Sequence, residues 1–195
     1  MRFNPFTIGF ILTGLCFLSS FVWLKHQQEQ DDYYVFADNW IHGIPTGFMG
    51  EKDGKSMKVV SDCTIKPFKG DKCVSISVDK SESWRGLHIQ FTGAWNVSLD
   101  KDTPLADLSG YDKLEFYART DETNEPYILT EVGVGGGGAS EDMVNDTYLE
   151  VENEWKKFTI NLKGADFKKL NTMMYMSLPT GTLYLDEIKF TKKKK

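Results

Sequence analysis

Short stretches in which every second residue is apolar recur along the chain. In CVSISVD, Val74, Ile76 and Val78 fall on one side and Ser75 and Ser77 on the other. GLHIQFT sets Leu87, Ile89 and Phe91 against His88 and Gln90. KLEFYAR sets Leu114, Phe116 and Ala118 against Glu115, Tyr117 and Arg119, and KKFTINL aligns Phe158, Ile160 and Leu162. Successive side chains of a strand point to opposite faces, so each stretch predicts a strand with one buried face. TLYLDEIKF starts with Leu183 and Leu185 in one phase and ends with Ile188 and Phe190 in the other. That phase change predicts a bulge near Asp186–Glu187. No segment after Leu24 carries a helical stripe; KGADFKKLNTM offers at most one short turn of helix. Gly, Pro, Asp and Asn separate the strands, without internal repeat. The expected fold class is therefore all-β, an antiparallel β-sandwich.

The N-terminus follows a different pattern. FTIGFILTGLCFLSSFVWL, Phe6–Leu24, is an uncharged apolar run. At about 1.5 Å per helical residue it nearly spans a hydrocarbon core of about 30 Å. A secretory signal has an apolar region of about 7–15 residues and a small-x-small cleavage site. This run is longer and lacks a clean site. Thr13-Gly14-Leu15-Cys16 has the outline of a lipoprotein box, but Leu15 stands where a small residue is needed. Residues 1–26 are read as one hydrophobic helix, a signal anchor or uncleaved signal peptide, with cleavage and secretion as the alternative. Arg2 ahead of the run and acids behind it place the body outside the cytoplasm, with the membrane as one partner. Residues 27–32 form a polar linker, 33–191 the sandwich and 192–195 a lysine tail.

Charge and cysteines narrow the function. The chain has 195 residues and net charge −5; without residues 1–26 it carries 21 basic against 28 acidic residues, or −7. An acidic body argues against nucleic acid as a partner, since phosphates need a basic face. Cys63 and Cys73 flank CTIKPFKGDKC, and in an oxidising compartment they are expected to pair as a disulfide, with two independent thiols as the alternative. Asn96-Val-Ser98 and Asn145-Asp-Thr147 are glycosylation sequons.

EVGVGGGGAS, Glu131–Ser140, contains G-x-G-x-x-G, the dinucleotide-binding spacing. That chemistry needs a strand before the glycines and a helix after them. ASEDMVNDTYLEVENEW is not an amphipathic helix, so no nucleotide is expected. The glycines read as a strand exit and a wide turn, which glycine serves by accepting φ > 0 and close approach.

Taken in order, TGFMGEKDG, KPFKGDKCVSISVD, ESWRGLHIQFTGAWN, LADLSGYDKLEFYART, EWKKFTINLKGADFKKL and GTLYLDEIKF resemble the galactose-binding-like jelly-roll carbohydrate-binding modules associated with glycoside hydrolases. The likeness covers about residues 33–190. It implies a jelly roll that reads a glycan or polysaccharide on one sheet face or on end loops. It also implies a structural Ca2+ site: Asp186 matches the family's acid in the last strand, and an acid near the first strand, such as Asp38, could join it, with a place in an external turn or bulge as the alternative for Asp186. Two departures stand out. The loop after the Tyr-Ala-Arg strand is longer in glycine, and an apolar N-terminal run replaces the catalytic domain many such modules serve.

A sugar site needs aromatic faces for C–H stacking and planar polar groups for paired hydrogen bonds. Trp84, Arg85, Tyr117, Arg119 and Glu131 are the expected carbohydrate-binding residues, with His88 and Gln90 on neighbouring strands. Core packing is the alternative for Trp84 and Trp95. Catalysis is not expected. Glycoside hydrolysis needs two carboxylates about 5–10 Å apart across the bond. Glu150, Glu152 and Glu154 only share a strand face, and no G-x-S-x-G occurs. The competing reading is an anchored protein-interaction domain that has lost sugar binding.

Overall fold

The computed structural model describes residues 32–49, 56–79, 84–91, 105–121, 126–136, 142–146 and 148–192, with backbone alone at 47–49 and 84. The expected N-terminal helix, Cys16, Trp95 and Asn96 lie outside these residues. Fourteen strands and no helix occur among the described residues. They are β1 (Tyr33–Ala37), β2 (Asn39–Trp40), β3 (Ile44–Met49), β4 (Met57–Cys63), β5 (Cys73–Val78), β6 (Trp84–Gln90) and β7 (Lys113–Thr120). There follow β8 (Tyr127–Leu129), β9 (Glu131–Gly135), β10 (Met143–Asp146), β11 (Leu149–Val151), β12 (Lys156–Asn161), β13 (Thr172–Pro179) and β14 (Gly181–Thr191).

Two sheets carry the body. One is seven-stranded, with β12-β7-β14-β1-β2 in order and the β4–β5 pair joined to β14 through β5. The other is five-stranded, β10-β9-β13-β6-β3. A small β11–β8 pair completes the set. Their inner faces form the core: Val74, Ile76, Val78, Leu114, Phe116, Ala118, Leu183, Leu185 and Phe190 from the first sheet, and Leu87, Ile89, Val132, Val134, Met174, Met176 and Leu178 from the second. At Gly43 the sheets come close enough that a Cβ would meet Val35 and Ile89 at 3.0 and 3.1 Å.

The alternation rule places these strands well. The phase change in TLYLDEIKF is a bulge: the β14–β7 register shifts between Asp186 and Lys189, and Glu187 takes φ 49°. KGADFKKLNTM is not helical. Phe167 and Leu170 plug the core instead, and Leu170 bridges to Ala106. Burying two apolar side chains from an irregular segment offsets its lack of repetitive hydrogen bonding.

The expected disulfide is not formed. Cys63 and Cys73 are direct cross-strand partners at the loop end of the β4–β5 hairpin, but both are buried free thiols. The Cys73 thiol donates to Cys63 O at 3.4 Å. Burial, with Cys63 beside it, pushes the Cys73 thiol up to about 12. Tyr184, Val60 and Trp155 pack over the pair.

Candidate functional site

Strand parity gives each sheet an outer face, and the two differ in chemistry. On the seven-stranded sheet, Tyr117 and Arg119 of β7 stand beside Asp186 and Tyr184 of β14. The loop from Thr64 to Lys72, between β4 and β5, covers them. Phe68 of this loop stacks on Tyr117 (centroids 3.6 Å apart, planes 16°) and meets Trp155 edge-on at 6.1 Å. Arg119 is 4% exposed. Its Nη1 pairs with Asp121 at 2.6 Å, and Nη2 donates to Ile65 O at 2.8 Å. Its guanidinium lies over Tyr184 at 3.8 Å and Trp155 at 5.3 Å. Only Nε lacks a partner among the described residues. Tyr184 donates to Asp121, and burial with this hydrogen bond pushes its hydroxyl up to about 12. Burial pushes Asp121 upward, but hydrogen bonds from Tyr184 and Arg119 outweigh it and hold the carboxyl below its ordinary value. Farther along the face, Lys157 pairs with Glu115 at 2.7 Å.

The five-stranded sheet has a different outer face. His88 of β6 lies opposite Tyr175 of β13, and their rings stack at 5.6 Å and 24°. Gln90 accepts a hydrogen bond from Thr46 at 2.8 Å. Thr172 is opposite Gln90, and Ser177 is opposite Glu131 of β9. His88, Gln90, Thr172 and Tyr175 are buried, whereas Glu131 and Asn145 on the β9–β10 side are exposed. The Tyr175 hydroxyl lies near Asn145 and Glu131; burial first, then the Glu131 charge, raises it, and a contact with the Asn145 amide offsets part of the rise. It has no partner of good hydrogen-bonding geometry among the described residues, and neither does Thr172 Oγ1. Burial pulls the His88 imidazole down to about 4, so it is neutral at pH 7.

The glycine motif serves this face. Gly133 lies opposite Tyr175 across the β9–β13 pair and opposite Asn145 on β10. A Cβ there would strike the Tyr175 phenol ring and the Val144 carbonyl. Glycine is needed so that the tyrosine can lie across β9. The expected turn begins later: Gly135 and Gly136 take φ 86° and 73°, and residues 137–140 lie outside the described residues.

The five expected sugar-binding residues do not come together in one place. Tyr117 and Arg119 share the outer face of the seven-stranded sheet, where each already has partners. Glu131 lies on the other sheet. Arg85 shares the parity of Leu87 and Ile89, so it points into the sandwich, where Nε donates to Ser56 at 2.7 Å and the residue is 4% exposed. Trp84 opens β6 opposite Pro179, and its side chain lies outside the described residues. His88, Gln90 and Glu131 do share one face, with β13 between them. The residue that unites them, Tyr175, was missed, because TMMYMSLP is apolar in both phases and shows no alternation.

The metal ligands expected from the resemblance have other partners. Asp186 accepts amide hydrogens from Phe68 and Lys69 at 2.9 and 3.2 Å, and from Glu187 at 2.7 Å. Burial raises its carboxyl, partly offset by those amides. Asp38 accepts from Asp71 and Lys72, both at 2.7 Å. A calcium ion needs six to eight oxygens, whereas these carboxylates face N–H donors. No group of three or more His, Cys, Asp or Glu that could hold a metal ion occurs among the described residues. The arrangement does not fit the cation.

The fold and the two faces define a class: a jelly-roll β-sandwich with the architecture of carbohydrate-binding modules. Three solved structures make the comparison concrete. The family 30 carbohydrate-binding module of the cellulosomal cellulase Cel9D-Cel44B of Clostridium thermocellum superposes with a TM-score of 0.53 at 21% identity, over 84% of this chain and 99% of that one. The family 11 module of the cellulase Lic26A-Cel5E from the same organism gives 0.52 at 14% identity, over 83% and 95%. The CBM22-1–GH10 modules of the Clostridium thermocellum xylanase Xyn10B, complexed with xylohexaose, give 0.51 at 13% identity, over 83% of this chain and 29% of that one. No protein-family model and no curated protein sequence matches the chain. Likeness at this identity establishes the fold and leaves the ligand to be argued from the site.

Proposed function

We propose that this chain is a non-catalytic carbohydrate-binding module, displayed outside the cytoplasm and held at the membrane by its apolar N-terminal run. The reading rests on the outer face of the five-stranded sheet. The observation that carries it is the pair of buried hydroxyls, Tyr175 Oη and Thr172 Oγ1, neither of which has a partner of good hydrogen-bonding geometry among the described residues. An unsatisfied buried polar group costs about 1–3 kcal/mol. Two on one face, beside a ring stack and the amides of Gln90 and Asn145, suit a ligand that brings its own fan of hydroxyls. A sugar ring does this, with an apolar C–H face for the aromatic side chains. The neighbours support the reading by fold, and the Xyn10B modules were solved with xylohexaose.

Affinity electrophoresis of the full-length protein in detergent, through gels containing xylan, mixed-linked β-glucan, xyloglucan or mannan, tests the proposal. At least one neutral polysaccharide should retard migration. Unretarded migration in every gel would return the question to the protein-interaction alternative. Protease accessibility in intact cells tests the placement: the body should be digested from outside.

A further inference from the structure

The loop from Thr64 to Lys72 forms no strand, yet side chains from distant elements bind its backbone along its length. Arg119 donates to Ile65 O and Trp155 Nε1 donates to Lys66 O, both at 2.8 Å. Asp186 accepts the amides of Phe68 and Lys69, and Asp38 accepts those of Asp71 and Lys72. Carbonyls on the first half therefore meet donors, and amides on the second half meet carboxylates. Lys69 adds an ion pair to Glu187 at 3.2 Å.

We infer that Asp38 and Asp186 are paired anionic staples that fasten this loop directly through its amide hydrogens, without the calcium ion that the jelly-roll resemblance implies for those two acids. Three observations support this. The loop turns N–H donors toward both carboxylates, and a cation would need carbonyl oxygens there. Lys69, pairing with Glu187 next to Asp186, already supplies positive charge to that end. The backbone is bent to suit: Asp38 and Glu187 take φ 55° and 49°, a left-handed conformation that costs a non-glycine residue about 1 kcal/mol or more. Hydrogen bonds to a carboxylate are stronger than those between neutral groups, which offsets that cost.

Gly70 supplies an independent handle. It takes φ +67°, and a Cβ there would fall inside contact distance of the Asp38 carboxylate. Gly70→Ala therefore keeps both acids while crowding one staple.

The test is cleavage after Lys69 and Lys72 by endoproteinase Lys-C, followed by mass spectrometry on the full-length protein with calcium or with EDTA. Cleavage reads how often the loop opens. The wild type should be cut at the same rate, within about twofold, in both media. Asp38→Ala and Asp186→Ala should be cut at least about tenfold faster, with no protection from calcium. If these variants do not fold, Gly70→Ala is the deciding variant and should also open faster in both media. Acceleration of wild-type cleavage by EDTA would overturn the inference. So would wild-type cleavage rates in the folded variants.

Discussion

On the seven-stranded sheet Arg119 is enclosed by Asp121, Tyr184, Trp155 and the Ile65 carbonyl. On the five-stranded sheet Tyr175 is also buried, yet its hydroxyl and that of Thr172 lack partners of good hydrogen-bonding geometry among the described residues. Both faces carry aromatic rings and hydrogen-bonding groups, so composition alone would rank them equally. The degree of satisfaction separates them: among the described residues Arg119 Nε alone lacks a partner in the first cluster, whereas both hydroxyls do on the second face. A cluster whose donors and acceptors largely answer one another holds the fold together. The face that leaves its buried hydroxyls unanswered is the one proposed to take a ligand from outside.

The largest effect that would break this contrast is at Arg119. Arg119→Ala removes an ion pair, a carbonyl hydrogen bond and two ring contacts, and should cost about 2–4 kcal/mol of stability. Denaturant unfolding reads this loss. Glycan affinity of the folded fraction should stay at the wild-type value; a matching loss of affinity would move the binding site to this sheet. Next in size is Gly133→Ala, whose new methyl strikes Tyr175 and the Val144 carbonyl. It should cost about 1–3 kcal/mol of stability and weaken glycan binding as well, because the tyrosine must move. Thermal melts and titration of the same sample separate the two losses.

An effect confined to acid pH is the pH dependence through His88. Its folded value, about 4, lies below the ordinary 6.5. The unfolded chain then binds the proton more readily between those values, so stability falls as pH drops through that window. This contribution is fully present above about pH 6.5. His88→Gln should flatten the dependence in melts between pH 4 and 7; an unchanged slope would show that His88 is not the group responsible.

How much of this was legible in the sequence depends on alternation. Leu114, Phe116 and Ala118 announced β7, and the phase change from Leu185 to Ile188 announced the bulge, because one-sided burial writes a period of two. The same rule read strictly would have put Arg85 inside with Leu87 and Ile89. β13 was silent, because Met173, Met174, Met176 and Leu178 are all buried and both phases are apolar. Tyr175 was hidden with it. Parity also showed that Tyr117 and Arg119 share a face. It could not show that Glu131 belongs to a different sheet, since strand order comes from long-range pairing. The two staple acids were candidate metal ligands through the resemblance alone. Sequence shows a carboxylate, and only the folded loop shows that amides answer it.

The central claim is that unanswered hydroxyls mark the binding face. It is tested most directly by titrating one responsive polysaccharide into wild type, Tyr175→Phe and Tyr117→Phe, with melting temperatures measured alongside. Each substitution removes one hydroxyl and keeps the ring. Tyr175→Phe should weaken binding by about 1 kcal/mol, roughly fivefold, while the melting temperature of the free protein rises, because an unsatisfied buried hydroxyl is removed, and Tyr117→Phe should leave affinity unchanged. Unchanged affinity in Tyr175→Phe together with a loss in Tyr117→Phe would contradict the account.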